Sequence, residues 1–207
     1  MMNVDNLEPF SCDVIINGFW NRAILTPNGI AGKLFGLPPG SGIQVEVAMD
    51  GLLPPRVNIN GLIVTVQAQR LAVIAETPTY PALEKAKNVA RQALEALPET
   101  PVSSAGFNVR FRMPPAEESV LHKLEVPLDS TLSDLSFTIL SRSLVRGVAF
   151  QKGVLNLRCS DEDQDSTLLE FNFHRESKEH KDLTEWLSMS KEVFEPEVKR
   201  ILTAVLT

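Results

Sequence analysis

The sequence predicts an α+β fold with two β-rich halves of mainly antiparallel strands, each half ending in an amphipathic helix packed on the sheet. Two observations carry this prediction. Apolar residues recur at helical spacing over 81–97 and again over 183–205. Short stretches with period-two alternation fill the chain ahead of both helical regions. This arrangement is typical of antiparallel sheets with helices covering one face.

The two halves are expected to span residues 1–100 and 101–207, and each presents strand, hairpin, strand and helix in that order. The shared order suggests an internal duplication. The halves either share one continuous sheet or pack as two lobes, and element order alone does not choose between these arrangements.

Strands in the first half are predicted from alternation and from turn residues between apolar runs. The predicted strands cover 12–16, 19–25, 30–37, 43–47, 57–59, 62–68 and 71–75. Asn60-Gly61 stands between two apolar runs, which is the strongest short-range signal for a β-hairpin. The stretch 38–42 is rich in proline and glycine and is expected to be a loop.

The first amphipathic helix is predicted over 81–97, where Pro81 suits the first turn and Thr79 is the expected N-cap. Its apolar face holds Leu83, Ala86, Ala90, Ala93, Leu94 and Leu97, and its polar face holds Glu84, Lys87, Asn88, Arg91 and Glu95. Arg91 and Glu95 are four residues apart and are expected to pair.

A long strand over 102–113 is expected to open the second half. Its alternating apolar residues are Phe107, Val109, Phe111 and Met113. Arg110 and Arg112 therefore share the opposite face of this strand. Gly106, just ahead of the alternation, is expected to allow a bulge or a close approach of two backbones.

The rest of the second half is predicted to hold a strand over 120–126, a polar turn over 128–135, a β-rich stretch over 137–140, a hairpin over 148–157 and a last strand over 169–173. Asp129, Ser130 and Ser133 are candidate caps for a short helical turn. The closing helical region contains Pro196, which is expected to divide or kink it, because an interior proline costs about 3 kcal/mol.

The chain has a net charge of −6 and 43% hydrophobic residues, as expected for a soluble globular protein with a sizeable core. Its acidic balance argues against a generic nucleic-acid binder. No apolar run is long enough for a membrane span, and residues 1–10 lack the basic region of a signal peptide, so a cytoplasmic location is expected. Cys12 and Cys159 are expected to be buried free thiols rather than a disulfide.

No motif in the sequence predicts catalysis. Nucleophile-elbow, phosphate-loop and dinucleotide-binding patterns are absent from the sequence. Asp161, Asp163 and Asp165 alternate as in a calcium loop, but the glycine and glutamate positions of such a loop hold Ser166 and Asn172. An acidic, solvated hairpin loop is the favoured interpretation of this stretch.

The three histidines, His122, His174 and His180, lack the spacing of a zinc site and are expected at the surface. The sequence therefore predicts neither a metal nor a cofactor. Paired carboxylates are plentiful, and their spacing neither supports nor excludes a hydrolase that uses two of them.

Arg110, Arg112 and Trp20 are the candidate partner-binding residues. Arginine suits contacts to carboxylates, phosphates and partner proteins, and tryptophan is enriched at binding hot spots. With Arg142 and Arg146, the two strand arginines could form a basic stripe on one sheet face. The alternatives are an arginine face paired with neighbouring acids and a Trp20 packed in the core.

The sequence thus favours a non-enzymatic protein–protein interaction module, a subunit or adaptor of a larger cytosolic assembly that binds another protein or self-associates. The alternative is a small-molecule-binding domain or an enzyme with its site in the cleft between the two halves. Nucleic-acid binding by the Arg110 and Arg112 face is a third and weaker hypothesis.

Overall fold

The computed structural model of the chain describes residues 7–49, 53–113, 124–163 and 166–206. Within them lie nine strands and five helices. The strands are β1 (Ser11–Gly18), β2 (Gln44–Glu46), β3 (Arg56–Ile59), β4 (Leu62–Gln67), β5 (Arg70–Ala75), β6 (Val102–Met113), β7 (Ser143–Phe150), β8 (Gly153–Asp163) and β9 (Ser166–Glu176). The helices are α1 (Pro27–Phe35), α2 (Tyr80–Ala96), α3 (Pro127–Asp134), α4 (His180–Leu187) and α5 (Lys191–Leu206).

All nine strands belong to one antiparallel sheet with the order β2-β3-β4-β5-β1-β6-β9-β8-β7, which confirms the α+β prediction. Because β1 pairs with β6, the sheet runs unbroken from the first half of the chain into the second. Read outward from this central pair, the order is β1-β5-β4-β3 on one side and β6-β9-β8-β7 on the other. The first half adds β2 at its outer edge. The internal duplication itself stays a prediction.

The core lies on one face of the sheet, where buried side chains of neighbouring strands stand in register. Val14 lies opposite Val73 on β5 and Phe107 on β6, and all three are fully buried. Phe107 stacks on Phe173 of β9 with ring centroids 4.8 Å apart, and Phe194 of α5 contacts both rings. Helix α2 packs on β1 and β5, and α4 packs on β6 and β9, so the two halves share one core.

Helix α2 forms where the sequence predicts it. The Thr79 hydroxyl accepts a hydrogen bond from the first-turn backbone at 3.3 Å, and Arg91 and Glu95 lie 4.0 Å apart as an ion pair. The predicted polar face is wrong at one position, because Lys87 is only 1% exposed. This residue borders the apolar stripe of α2, and Phe194 of α5 packs over it.

The strands predicted over 19–25 and 30–37 are wrong. The first stretch is irregular over 19–21 and turn and bend over 22–25, and most of the second belongs to α1. The sequence does carry both end signals of this helix, with Thr26 as the N-cap and Gly36 as a C-cap in the left-handed conformation. Packing of α1 on α2 and β3 favours the helix over the weak alternation in this stretch.

Three predictions for the second half need correction. The stretch 128–135 is mostly the helix α3, without a side-chain cap, and 137–140 is irregular. The predicted division at Pro196 is wrong, because the break falls at 188–190 and Pro196 lies inside α5, whose Phe194 and Val198 are buried in the core. A kink at Pro196 stays a prediction. Most of the strand predicted over 120–126 lies outside the described residues, and its described part forms no strand.

The hairpin predictions are confirmed. Asn60 and Gly61 join β3 to β4, and both have positive φ angles. Gln151 and Lys152 join β7 to β8, and β7 begins at Ser143, five residues before the predicted strand. Gly106 does mark a close backbone approach, because a Cβ atom there would lie 2.8 Å from the Phe173 carbonyl oxygen.

Candidate interaction surface

The structure separates the three candidate partner-binding residues. Trp20 is 4% exposed, and its Nε1 donates to the Ile16 carbonyl at 3.2 Å, so its ring packs in the core. Arg110 is half-buried on β6. Arg112 lies on the same strand face, exposed, with its guanidinium 4.7 Å from the Phe10 ring centroid. Of the three, only Arg112 presents its side chain to solvent.

Arg110 holds together a network on the sheet face opposite the core. Its guanidinium pairs with Asp13 and, at 2.7 Å, with Glu170. It also donates to the Ser11 hydroxyl at 3.3 Å. Asp13 is buried, and the Arg110 and Glu170 side chains are each about one fifth exposed. Arg110 is therefore paired with neighbouring acids rather than presented to a partner.

A ladder of side-chain amides extends this network across the sheet. Asn156 donates to Asn172 at 2.9 Å, Asn172 to Asn108 at 2.7 Å, and Asn108 to Asp13 at 2.5 Å. The four residues stand directly opposite one another on β8, β9, β6 and β1. Every donor points the same way, so this amide ladder ends on a carboxylate. The sequence carries a signal for it, since each asparagine occupies a polar position of an alternating strand.

Arg142 and Arg146 do not extend the arginine face of β6. Arg146 lies opposite Leu157 of β8, whose neighbour on β9 is the core residue Phe171, so Arg146 is on the core side of the sheet. Arg142 precedes β7, and its Nε lies 2.7 Å from Asp129 of α3. The four arginines therefore form no single stripe.

Lys87 is a buried cation at the junction of α2, β6 and α5. Its ammonium donates to Glu84 at 2.7 Å and to the Met189 carbonyl, and it lies 4.9 Å from the ring centroids of Phe107 and Phe194. Burial lowers the pKa of Lys87, and the hydrogen bond to Glu84 opposes that shift. The ammonium is thus enclosed by packed groups of α2, β6 and α5.

A groove of about 240 Å³ lies between the β7–β8 turn and helices α4 and α5. Its apolar wall is formed by Trp186, Met189 and Val193. Its charged residues pair with one another, Lys152 with Glu185 at 2.7 Å and Arg175 with Asp182 at 3.1 Å. The groove is smaller than most small-molecule sites, which span about 300–1,000 Å³. Its charges are also already compensated.

Within the described residues, no group of three or more histidine, cysteine, aspartate or glutamate side chains is arranged to hold a metal ion. Asp161 is not simply solvated, because its carboxylate accepts the backbone N–H of Arg142.

His180 is half-buried, with its ring nitrogens 3.1 Å and 2.6 Å from the carbonyls of Leu94 and Thr100. It ties α4 to the end of α2 rather than lying free at the surface. His122 and Asp165 lie outside the described residues.

Cys12 and Cys159 are buried free thiols, as predicted. Burial raises the pKa of the Cys12 thiol to about 12 and that of Cys159 to about 11. Both therefore stay protonated at neutral pH, and the thiolate is the reactive form of cysteine.

We expect neither thiol to react with a thiol-specific reagent in the native protein at neutral pH, and both to react in denaturant. The number of labels per chain, measured by intact mass spectrometry before and after unfolding, checks this. Rapid labelling of Cys12 or Cys159 in the native state would contradict its burial.

Exposed apolar side chains concentrate on one stretch of the chain. Among the described residues, eight of the sixteen exposed large hydrophobic side chains fall within residues 126–154. They are Val126, Leu128, Leu135, Phe137, Leu140, Val145, Val148 and Val154. Leu140 is 86% and Phe137 is 62% exposed, and α3 has no buried residue. We call these eight side chains the 126–154 surface.

The 126–154 surface includes the edge of the sheet. Strand β7 is eight residues long and pairs with β8, and no other described strand lies on its far side. The opposite edge strand, β2, has only three residues, one of them Glu46. A short, charged edge resists further pairing, whereas a long apolar edge invites it.

No protein-family model matches the chain, and no curated protein sequence does either. Among the described residues, no helix is long and apolar enough to cross a membrane.

Proposed function

We propose that this chain is a non-enzymatic protein–protein interaction module, a subunit or adaptor of a larger cytoplasmic assembly, and that the 126–154 surface binds its partner. The observation that carries the proposal is the exposure of eight large apolar side chains on this one stretch, beside a long edge strand. A long edge strand that exposes apolar side chains on both of its faces invites pairing with another chain.

The ionisable groups described above favour binding over catalysis. Lys87 and Arg110 direct their charge to internal partners. The two thiols are protonated at neutral pH. Arg112, exposed on the other sheet face, is the remaining predicted contact and is a second place where a partner could bind.

The alternative function, small-molecule binding or catalysis in a cleft between the halves, has less support. The halves meet as the hydrogen-bonded strand pair β1 and β6, with Val14 directly opposite Phe107. Along these paired strands the junction is flat and filled. The space between the halves is a groove of about 490 Å³ at one end of the pair, bordered by Asn17, Arg70 and Ser103.

The proposal is tested by replacing the two most exposed side chains ahead of β7. We expect the Phe137→Ser, Leu140→Ser double variant to fold normally and to lose most of the partner that the wild-type chain retains in pull-down from its native cells and in size-exclusion chromatography. Val47→Ser with Met49→Ser is the matched control, because those side chains are at least as exposed and lie near the other edge of the sheet. A wild-type chain that elutes as a lone monomer and retains no partner contradicts the proposal.

A further inference from the structure

We propose that two copies of this chain pair through β7, antiparallel and about a twofold axis perpendicular to the sheet, so that their sheets join into one. The inference rests on the proposed function, because it names a second copy as a partner of the 126–154 surface. Backbone geometry, sheet topology and charge each support it.

Among the described residues, no strand pairs with the outer side of the β7 backbone. The Asp161 N–H donates to the Arg142 carbonyl at 3.1 Å, so position 142 faces β8. Hydrogen-bonded positions alternate along an antiparallel strand, so the N–H and C=O groups of residues 143, 145, 147 and 149 point away from β8. Consistent with this, the Val145 carbonyl accepts a hydrogen bond from the exposed Arg146 guanidinium at 2.8 Å.

The topology indicates what such an edge accepts. Counted outward from the β1–β6 pair, β3 and β7 occupy equivalent places in the sheet. The outer edge of β3 carries an antiparallel strand, β2, with Val45 opposite Val57. An extended strand from a second copy would occupy the equivalent edge of β7.

Charge selects the register of this pairing. Arg146 is the one charged residue of β7, and a register centred on it would place two guanidinium groups side by side, which is unfavourable. Registers centred on Val145 or Gly147 avoid this contact and still place outward-facing backbone positions opposite each other. In the first register Arg146 lies opposite Leu144 of the second copy, and in the second it lies opposite Val148.

The pairing closes after two copies. The far edge of each sheet is β2, a three-residue strand that carries Glu46. Strand β7 is the only long edge among the described strands. In a twofold-symmetric pair both copies bury this edge, so no long edge remains to which a further copy could add, and no filament forms. Val145 and Val148, both exposed in the single chain, would lie within the interface.

The test uses Val145→Pro, with Val145→Thr as the matched control. Proline removes an N–H that points away from β8, so the β7–β8 ladder keeps its hydrogen bonds, and proline is tolerated at such edge positions. Threonine keeps the N–H and the branched side chain. Sedimentation velocity across a dilution series measures the dimer, and hydrogen exchange measures protection of individual amides.

We expect the wild-type chain and Val145→Thr to form dimers in which the backbone amides at positions 145, 147 and 149 exchange slowly. Val145→Pro should weaken the dimer about tenfold or more, because the twofold repeats the lost hydrogen bond, and should leave the circular dichroism spectrum unchanged.

A wild-type chain that stays monomeric at every concentration overturns this inference. So does a dimer that Val145→Pro does not weaken and whose odd-numbered β7 amides exchange fast, since its interface then lies elsewhere. Neither result alone overturns the proposed function. That proposal fails only if the pull-down also finds no partner whose binding depends on Phe137 and Leu140.

Discussion

Replacing Arg110 with leucine is expected to lower the free energy of unfolding by about 3 kcal/mol, the low end for breaking a buried ion pair. The guanidinium is the shared partner of Asp13 and Glu170. Its removal leaves two carboxylates close together, and Asp13 is only 7% exposed. The penalty is therefore the cost of an uncompensated buried charge rather than the loss of a surface contact.

Arg112→Leu is the matched control for this experiment. Arg112 lies two residues further along the same strand face but is exposed and contacts the Phe10 ring. Its loss should change the free energy of unfolding by no more than about 0.5 kcal/mol. Urea unfolding of both variants, with slopes compared to wild type, measures the difference.

A second substitution tests the cause of the Arg110 effect. In the Arg110→Leu background, Asp13→Asn removes one unpaired charge while keeping an acceptor for Asn108, so it should recover part of the lost stability. Equal losses for Arg110→Leu and Arg112→Leu, or no recovery by Asp13→Asn, would show that the network contributes little.

Lys87 is expected to stabilise the fold more through the space that its side chain fills than through its charge. Lys87→Ala should cost about 2–5 kcal/mol, because it leaves a cavity among Phe107, Phe194 and the backbone of Met189. Lys87→Met fills most of the same space but leaves the Met189 carbonyl without its donor, so it should destabilise the protein by less than Lys87→Ala. Thermal and urea unfolding of both variants separate packing from charge.

The wild-type protein and Lys87→Met are also expected to differ in pH dependence. Burial lowers the pKa of Lys87 in the folded state, so the unfolded chain binds more protons between that pKa and the ordinary lysine value of about 10.4. Over that window this lysine makes the free energy of unfolding rise with pH, and Lys87→Met lacks the contribution. The buried thiols act with the opposite sign, since their pKa values are raised, but they are common to both proteins and cancel in the difference.

The outcome for Lys87 is clear in either direction. A wild-type stability that falls with pH relative to Lys87→Met would mean that Glu84 and the two rings stabilise the ammonium more than burial disfavours it. Such a result would reverse the assignment of burial as the dominant cause.

Regular patterns in the sequence predict regular elements well. The alternation around Phe107 predicts β6, the spacing of Leu83 and Ala90 predicts α2, and Asn60-Gly61 predicts a hairpin. These signals are local, because each depends on residues within a few positions of one another.

The misses arise where long-range packing decides. The stretch 30–37 alternates weakly but becomes α1 because α2 and β3 lie against it. Lys87 occupies a polar position on the helical wheel but is covered by Phe194, which is far away in the sequence. Arg110 looks like a free surface cation until β1 and β9 bring Asp13 and Glu170 beside it.

The candidate site was the least accessible to sequence reasoning. Trp20 and Arg110 are candidate binding residues because of their residue type, which carries no information about exposure. Both side chains are largely buried. The apolar residues of the 126–154 surface look like core from the sequence alone. Only the sheet order shows that β7 is an edge.

The amide ladder has a consequence for how the strands find their alignment. Hydrophobic alternation repeats every two residues, so it opposes a strand slip of one residue but not a slip of two. Sliding β9 by two positions along β6 would keep phenylalanines in the core yet set Asn108 against Glu170 or His174 instead of Asn172. The asparagines therefore distinguish the native strand register from registers shifted by two residues, which the hydrophobic side chains alone do not distinguish.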